Sequence, residues 1–210
     1  MPQLSEQYTT VRHEAHVEFE EKRSLFIGHA IHVDSEEEAL AFIKQIKKKY
    51  SDATHNCFAY LLGDGSVARY SDDGEPQGTA GMPMLETIRK SGVCDVCVVV
   101  TRYFGGILLG AGGLVRAYSH STSIAIAGAE SVTYVPYAVY ELRCGYSEYQ
   151  KYSNLLAGAS AVIDSTDFAA DVCLRFAVKR EASEKLLKKI QEVGYGKDIP
   201  TEIGERFDCR

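Results

Sequence analysis

The run Val96-Cys97-Val98-Val99-Val100-Thr101 carries apolar or β-branched side chains at every position. Neighbouring strand residues point to opposite faces of a sheet, so such a run is apolar on both faces. It reads as a strand inside a sheet covered by helices. What surrounds it is equally specific. Upstream lie an acidic turn, Asp72-Asp73-Gly74-Glu75-Pro76, and a helix opened by Pro83 and closed by Ser91-Gly92. Downstream lies a loop containing Gly105, Gly106, Gly110, Gly112 and Gly113, and then a helix over Leu114–Ala129. Small residues on the inner stripe of that helix, Ala117, Ser121 and Gly128, allow it to lie close on the sheet.

Five glycines before a helix point to one of two things. Backbone N–H groups at a helix start can receive an anion, with Arg102 and Arg116 supplying charge. Glycine also permits close helix-to-sheet packing. The spacing matches neither G-x-G-x-x-G nor a P-loop, because Ala111 stands where a P-loop needs lysine. Asp72, Asp73 and Glu75 could likewise serve as acid, base or cation ligands, or form a polar turn with Gly74 at the position of positive φ. His55 opens a strand and could face that turn. If the acidic turn and the glycine loop meet, Asp72 and Asp73 are expected to hold Arg102 or Arg116 beside a shared cleft. The candidate site is therefore His55, Asp72, Asp73, Glu75, Arg102, Tyr103, Gly105, Gly106, Gly112, Gly113 and Arg116, with no metal and no cofactor.

Composition narrows the class. Of the 210 residues, 45% are hydrophobic and 25% charged, which suits a globular protein. No apolar run approaches the roughly 20 residues that span a bilayer. The start of the chain lacks the apolar core of a secretory signal, so a cytoplasmic location is expected. A net charge of −6 argues against a surface coated for nucleic acid. Yet from Val96 to Ala129 the charged residues are Arg102 and Arg116, with no carboxylate. Six scattered cysteines read as reduced thiols, and the Cys94/Cys97 spacing leads into a strand, which does not suit a redox motif.

Elsewhere, Val11–Phe19 and Ser24–Val33 read as a hairpin around Glu20-Glu21-Lys22-Arg23. The histidines His13, His16, His29 and His32 are expected at the surface or half-buried. Ser35 and Glu38 form a capping box for a helix that ends in Lys47-Lys48-Lys49. A strand over Ala53–Leu62, a turn at Gly63-Asp64-Gly65-Ser66 and a returning strand Val67–Tyr70 follow. After Tyr134-Val135-Pro136-Tyr137 the pattern resets. A strand around Tyr140–Cys144, a helix capped by Ser147, strands Ala161–Asp164 and Val172–Val178 joined by Ser165-Thr166-Asp167, a helix Glu181–Val193 and a strand Ile199–Phe207 give β-α-β-β-α-β, the ferredoxin-like order. The expected domains are 1–135 and 136–210.

Several uncommon strings recur in one order: Ala53-Thr54-His55-Asn56-Cys57; Asp72 to Pro76 with Gly78-Thr79-Ala80-Gly81; Val100 to Gly106; and Leu109 to Tyr118. Together, over roughly residues 15 to 130, they resemble the IMPACT family in its bacterial YigZ/YvyE-like branch. Gln77 and Leu108 depart from it, the family more often having a small residue and a lysine there. The resemblance implies an α+β fold of two domains. The first would be a β-α-β fold like the second domain of a small-subunit ribosomal protein and domain IV of elongation factor G. The second would be ferredoxin-like, as domain V of that factor. Eukaryotic relatives act in translational control with a further N-terminal domain not expected here, so that role does not carry over whole. The expected function is non-enzymatic, cytoplasmic and linked to translation, with RNA, the ribosome or a translation-associated protein as partner and no membrane. The alternative is an enzyme acting on a small phosphorylated or peptide substrate.

Overall fold

The computed structural model describes residues 7–63 and 65–209; the expectations touching residues 1–6 and Asp64 lie outside them. The fold is α+β, and the chain divides into two compact units, Tyr8–Thr133 and a second built mainly from Tyr134 onward. No helix among the described residues is long and apolar enough to cross a membrane.

The first unit is built on a five-stranded sheet in the order β2-β3-β6-β4-β5. Its strands are β2 (Ala15–Glu21), β3 (Ser24–His32), β4 (His55–Leu62), β5 (Val67–Ser71) and β6 (Val96–Tyr103), with every neighbouring pair antiparallel. The all-apolar run is the central strand β6, buried from Val96 to Arg102. Helix α1 (Glu36–Lys49) packs Ala39, Phe42, Ile43 and Ile46 with Tyr60, Cys97 and Val99. Helices α2 (Gly81–Ser91) and α3 (Ala111–Gly128) cover the other face, packing Met84, Ile88, Leu114 and Tyr118 with Phe26, Val98 and Val100. The small stripe on α3 has its counterpart at Gly28 of β3, where a Cβ would come within 2.7 Å of the Ser121 carbonyl oxygen.

The single strand expected over Val11–Phe19 is two. Strand β1 (Tyr8–Val11) ends where the Arg12 and His13 N–H groups turn to the Ala129 carbonyl, and β2 begins at Ala15. The β2–β3 hairpin closes through two residues, Lys22 and Arg23, both at positive φ (47° and 65°). Those are the φ signs of a type I′ turn, on side chains that disfavour them.

In the second unit, β7 (Ser131–Cys144) runs straight through the stretch where the sequence pattern resets and pairs with β10 and β9, and β9 pairs in turn with β8. With α4 (Tyr146–Gly158), β8 (Val162–Phe168), β9 (Val172–Lys179), α5 (Arg180–Val193) and β10 (Thr201–Asp208), this is the ferredoxin-like arrangement. Tyr152, Leu156, Leu186 and Ile190 of the helices pack on Leu142, Leu174 and Phe176. Two local readings are corrected. Ser165-Thr166-Asp167 continues β8, since Thr166 and Asp167 pair with Leu174 and Cys173. Ser147 lies inside α4, whose N-cap is Gly145, and its hydroxyl donates to Glu148.

His13 and His16 are exposed and His32 half-buried, as expected, but one histidine departs from that expectation. His29 is fully buried and meets His16 across the hairpin, Nδ1 to Nδ1 at 2.7 Å. Asn56 donates its amide to the Tyr50 carbonyl, so its Oδ1 receives the Thr101 hydroxyl, and that hydroxyl in turn receives His29 Nε2–H. Burial, then His16 and Lys49, push the His29 pKa down from 6.5 to about 3. The unfolded chain therefore binds a proton that the folded one refuses. The stability His29 contributes should be complete above pH 6.5 and fall as pH drops toward about 3. Urea unfolding should show a falling midpoint over that window, and His29→Gln, less stable at pH 7, should flatten that dependence.

Candidate functional site

The acidic turn sits between β5 and the first turn of α2, and each of its carboxylates has a separate task. Asp72 closes the start of α2, a helix without a capping side chain at Ala80. Its Oδ1 accepts from the N–H groups of Ala80 and Gly81, and its Oδ2 from that of Gly78. Asp73 receives Lys47 Nζ of α1 at 2.6 Å and the Asn56 N–H at 2.7 Å. Partial burial works against its charge, but Lys47 and the Asn56 N–H outweigh that and hold its pKa below the ordinary value. Glu75 is buried and points to β6.

Arg102 of β6 is buried as well. Its Nη1 donates to Glu75 Oε1 at 2.6 Å, and the Tyr118 hydroxyl of α3 donates to the same oxygen at 2.8 Å. The guanidinium lies 5.4 Å from the ring of Phe26 and 5.5 Å from that of Phe104. Strand register explains the arrangement, since Phe26, Arg102 and His55 stand opposite one another on β3, β6 and β4. His55 donates Nδ1–H to the Asp73 carbonyl at 2.9 Å, which leaves Nε2 3.9 Å from Glu75 Oε1. Beside it, Cys57 donates its thiol to the Asp72 carbonyl, and burial pushes its pKa up to about 12, so it is no nucleophile at neutral pH.

The expected pairing is thereby corrected. Neither Asp72 nor Asp73 holds an arginine; Glu75 holds Arg102, and no carboxylate among the described residues holds Arg116, which stands exposed on α3. Tyr103 also stands apart, donating its hydroxyl to Asp52. The glycines divide by purpose. A Cβ on Gly105 would lie 1.9 Å from the Arg23 carbonyl oxygen, so that glycine lets the loop touch the β2–β3 turn. Gly106 (φ 85°) and Gly110 (φ 71°) take left-handed conformations. Gly112 and Gly113 form the first turn of α3, whose N-terminus has no capping side chain. The residues missed by sequence reasoning are Tyr118, Lys47, Phe26 and Cys57.

The loop fixed in this way exposes Phe104 (45%), Ile107 (41%) and Leu108 (81%). Lys22 and Arg23 are exposed on the turn that touches Gly105, and the Arg116 guanidinium is the nearest group, at 3.8 Å, to where a Gly112 Cβ would stand. Among the described residues no group of three or more His, Cys, Asp or Glu side chains could hold a metal ion.

The Arg102–Glu75 pair makes a prediction about stability. Glu75→Ala leaves a buried guanidinium without its counter-charge and should cost about 3–5 kcal/mol. Arg102→Met combined with Glu75→Leu should recover much of that loss, as measured by denaturant unfolding.

Comparison with known proteins agrees with this architecture. The pattern of the Impact N-terminal domain matches residues 22–126, and that of a domain of unknown function (DUF1949) matches residues 142–197. IMPACT family member YvyE of Bacillus subtilis is 52% identical over 117 residues, covering 55% of this chain and 54% of that protein. The match thus spans about half of YvyE. IMPACT family member YigZ of Escherichia coli is 37% identical over 178 residues, covering 83% of this chain and 87% of YigZ. A solved structure described as "Crystal structure of an hypothetical protein" is 35% identical with a TM-score of 0.61, covering 96% of this chain and 99% of its own. With both halves matched in order around the two units of the fold, the chain belongs to the IMPACT family.

Proposed function

We propose that this protein is a non-enzymatic, cytoplasmic binding module linked to translation, and that it takes RNA on the surface formed by the glycine loop, the β2–β3 turn and the start of α3. The observation that carries this reading is the exposed Phe104 next to Gly105, which touches the turn bearing exposed Lys22 and Arg23, with Arg116 exposed in the first turns of α3. An aromatic face stacks on any unpaired base, and cations around it meet the backbone phosphates. Arg102 behind the Phe104 ring and the glycines around the loop hold that platform in place. The uncapped N–H groups at the start of α3, with the Arg116 guanidinium near Gly112, suit a phosphate oxygen. Glu20 and Glu21 on β2 are the carboxylates nearest in sequence to the turn, while the net charge of −6 resides mainly elsewhere.

The enzymatic alternative is the weaker reading. Asp72, Asp73 and Glu75 are each committed to a structural partner, and Arg102 is buried against Glu75. His55, with Nδ1–H fixed on a carbonyl, is the remaining group suited to proton transfer.

Purified protein should bind short single-stranded RNA or ribosomes at low salt. The logarithm of the affinity should fall with log salt by about 0.7 for each phosphate contacted. Phe104→Leu should weaken binding by about 1 kcal/mol or more through lost stacking. Arg23→Glu with Arg116→Glu should nearly abolish it. No association with either probe at low salt overturns the proposal.

A further inference from the structure

The second unit carries a surface of opposite character. Cys144 and Phe168 both stand opposite Val172 in the sheet, so the start of α4 and the β8–β9 turn lie at the same end of it. Three aromatic rings meet there. Phe168 lies 6.1 Å from Tyr146 and 5.3 Å from Tyr149 between ring centroids. The Tyr146 hydroxyl donates to the Ala169 carbonyl at 2.8 Å, which ties the ring to the turn. Tyr146 and Phe168 each remain 57% exposed. That much apolar ring left in water is not explained by the core, which is closed by Tyr152, Leu156 and Phe176.

Most charges near the rings in sequence are negative, the exceptions being Lys151, one turn on from Glu148 in α4, and Lys197. Glu148 and Asp171 flank Tyr149 and Phe168 in sequence, and Asp198 comes in from the loop after α5 to accept the Tyr152 hydroxyl at 2.7 Å. Burial, and then the charges of Asp198, Glu148 and Asp171, push the Cys144 pKa up to about 11. None of the three has an ion-pair partner among the described residues. Lys197, beside Asp198, is the single cation in the segments 145–150, 168–172 and 194–199.

An apolar partner would bury these carboxylates unpaired, and an anionic one would be repelled. A lysine or arginine side chain meets the rings by their negative faces and the carboxylates by charge. We propose that Tyr146, Tyr149 and Phe168, with Glu148, Asp171 and Asp198, form a docking surface for a lysine- or arginine-rich protein segment. This surface does not depend on RNA binding by the first unit.

The test uses the full chain and a fluorescein-labelled, unstructured peptide of alternating arginine and glycine, with a glutamate–glycine peptide of equal length beside it. The arginine peptide should bind and the glutamate peptide should not. Tyr146→Leu with Phe168→Leu keeps apolar bulk but removes two π faces, and should weaken binding about fivefold or more. Glu148→Gln with Asp171→Asn should weaken it to a similar degree. Glu184→Gln with Glu192→Gln removes the same charge from α5 and should leave binding unchanged. Circular dichroism checks folding; if the leucine variants unfold, the carboxylate pair and its α5 control decide. Equal loss in that control, undiminished binding by folded leucine variants, equal binding of the glutamate peptide, or no binding at low ionic strength would each overturn the proposal.

Discussion

A guanidinium near the end of a buried strand is the constraint on which the first unit depends. Burying an arginine is costly unless its charge and donors are met. Arg102 follows five buried apolar residues and Thr101 in β6, and the carboxylate that meets it comes from a turn 27 residues earlier. Glu75 reaches it because Asp72 and Asp73 have fixed the turn, one on the N–H groups of α2 and one on Lys47 and β4. Tyr118 then brings α3 onto the same oxygen. A single carboxylate oxygen thus joins the central strand, the acidic turn and a covering helix.

How much of this was legible follows from the range of the interactions. Patterns set by neighbouring residues were readable: β6 as an inner strand, the order of the second unit, the small residues on α3 and the uncommon strings that mark the family. The division of labour among Asp72, Asp73 and Glu75 was not, because three adjacent acids look alike until the fold decides which donor each can reach. One signal was present. Among residues 96–101 there is no charge, so the arginine that follows had to find a carboxylate, and Glu75 is the one that reaches it. The burial of His29 and the collision that requires glycine at 105 depend on partners 13 and 82 positions away, His16 and Arg23, and local pattern carries neither.

The same buried polar cluster governs the surface above it. Phe104 leans on the guanidinium of Arg102, its N–H is taken by the Thr54 hydroxyl, and the next residue touches the Arg23 backbone. The loop that follows is therefore anchored at its start to β6, to the residue before β4 and to the β2–β3 turn. Binding residues on such a loop lose little conformational freedom when a partner arrives, which is the usual benefit of preorganisation. Chemistry at the acidic turn would require groups that the fold has already engaged, whereas recognition by the loop would use groups it has left outward.

The position of β6 has a consequence for how the chain assembles itself. Of the five strands in its sheet it is made last, yet it occupies the centre, paired on one side with β3 and on the other with β4. During synthesis the first hundred or so residues therefore amount to two separate hairpins, β2–β3 and β4–β5, each with an open edge awaiting the same partner. Pairs such as Phe26 with Arg102 close loops of more than seventy residues, and contacts of that range slow folding. The strand that completes the sheet is also the most apolar in the chain, so its late arrival limits how long those residues wait without a place to go. Any change that hindered β6 from entering would leave two half-sheets with unsatisfied edges, the kind of nascent chain that holds chaperones or pairs with its neighbours.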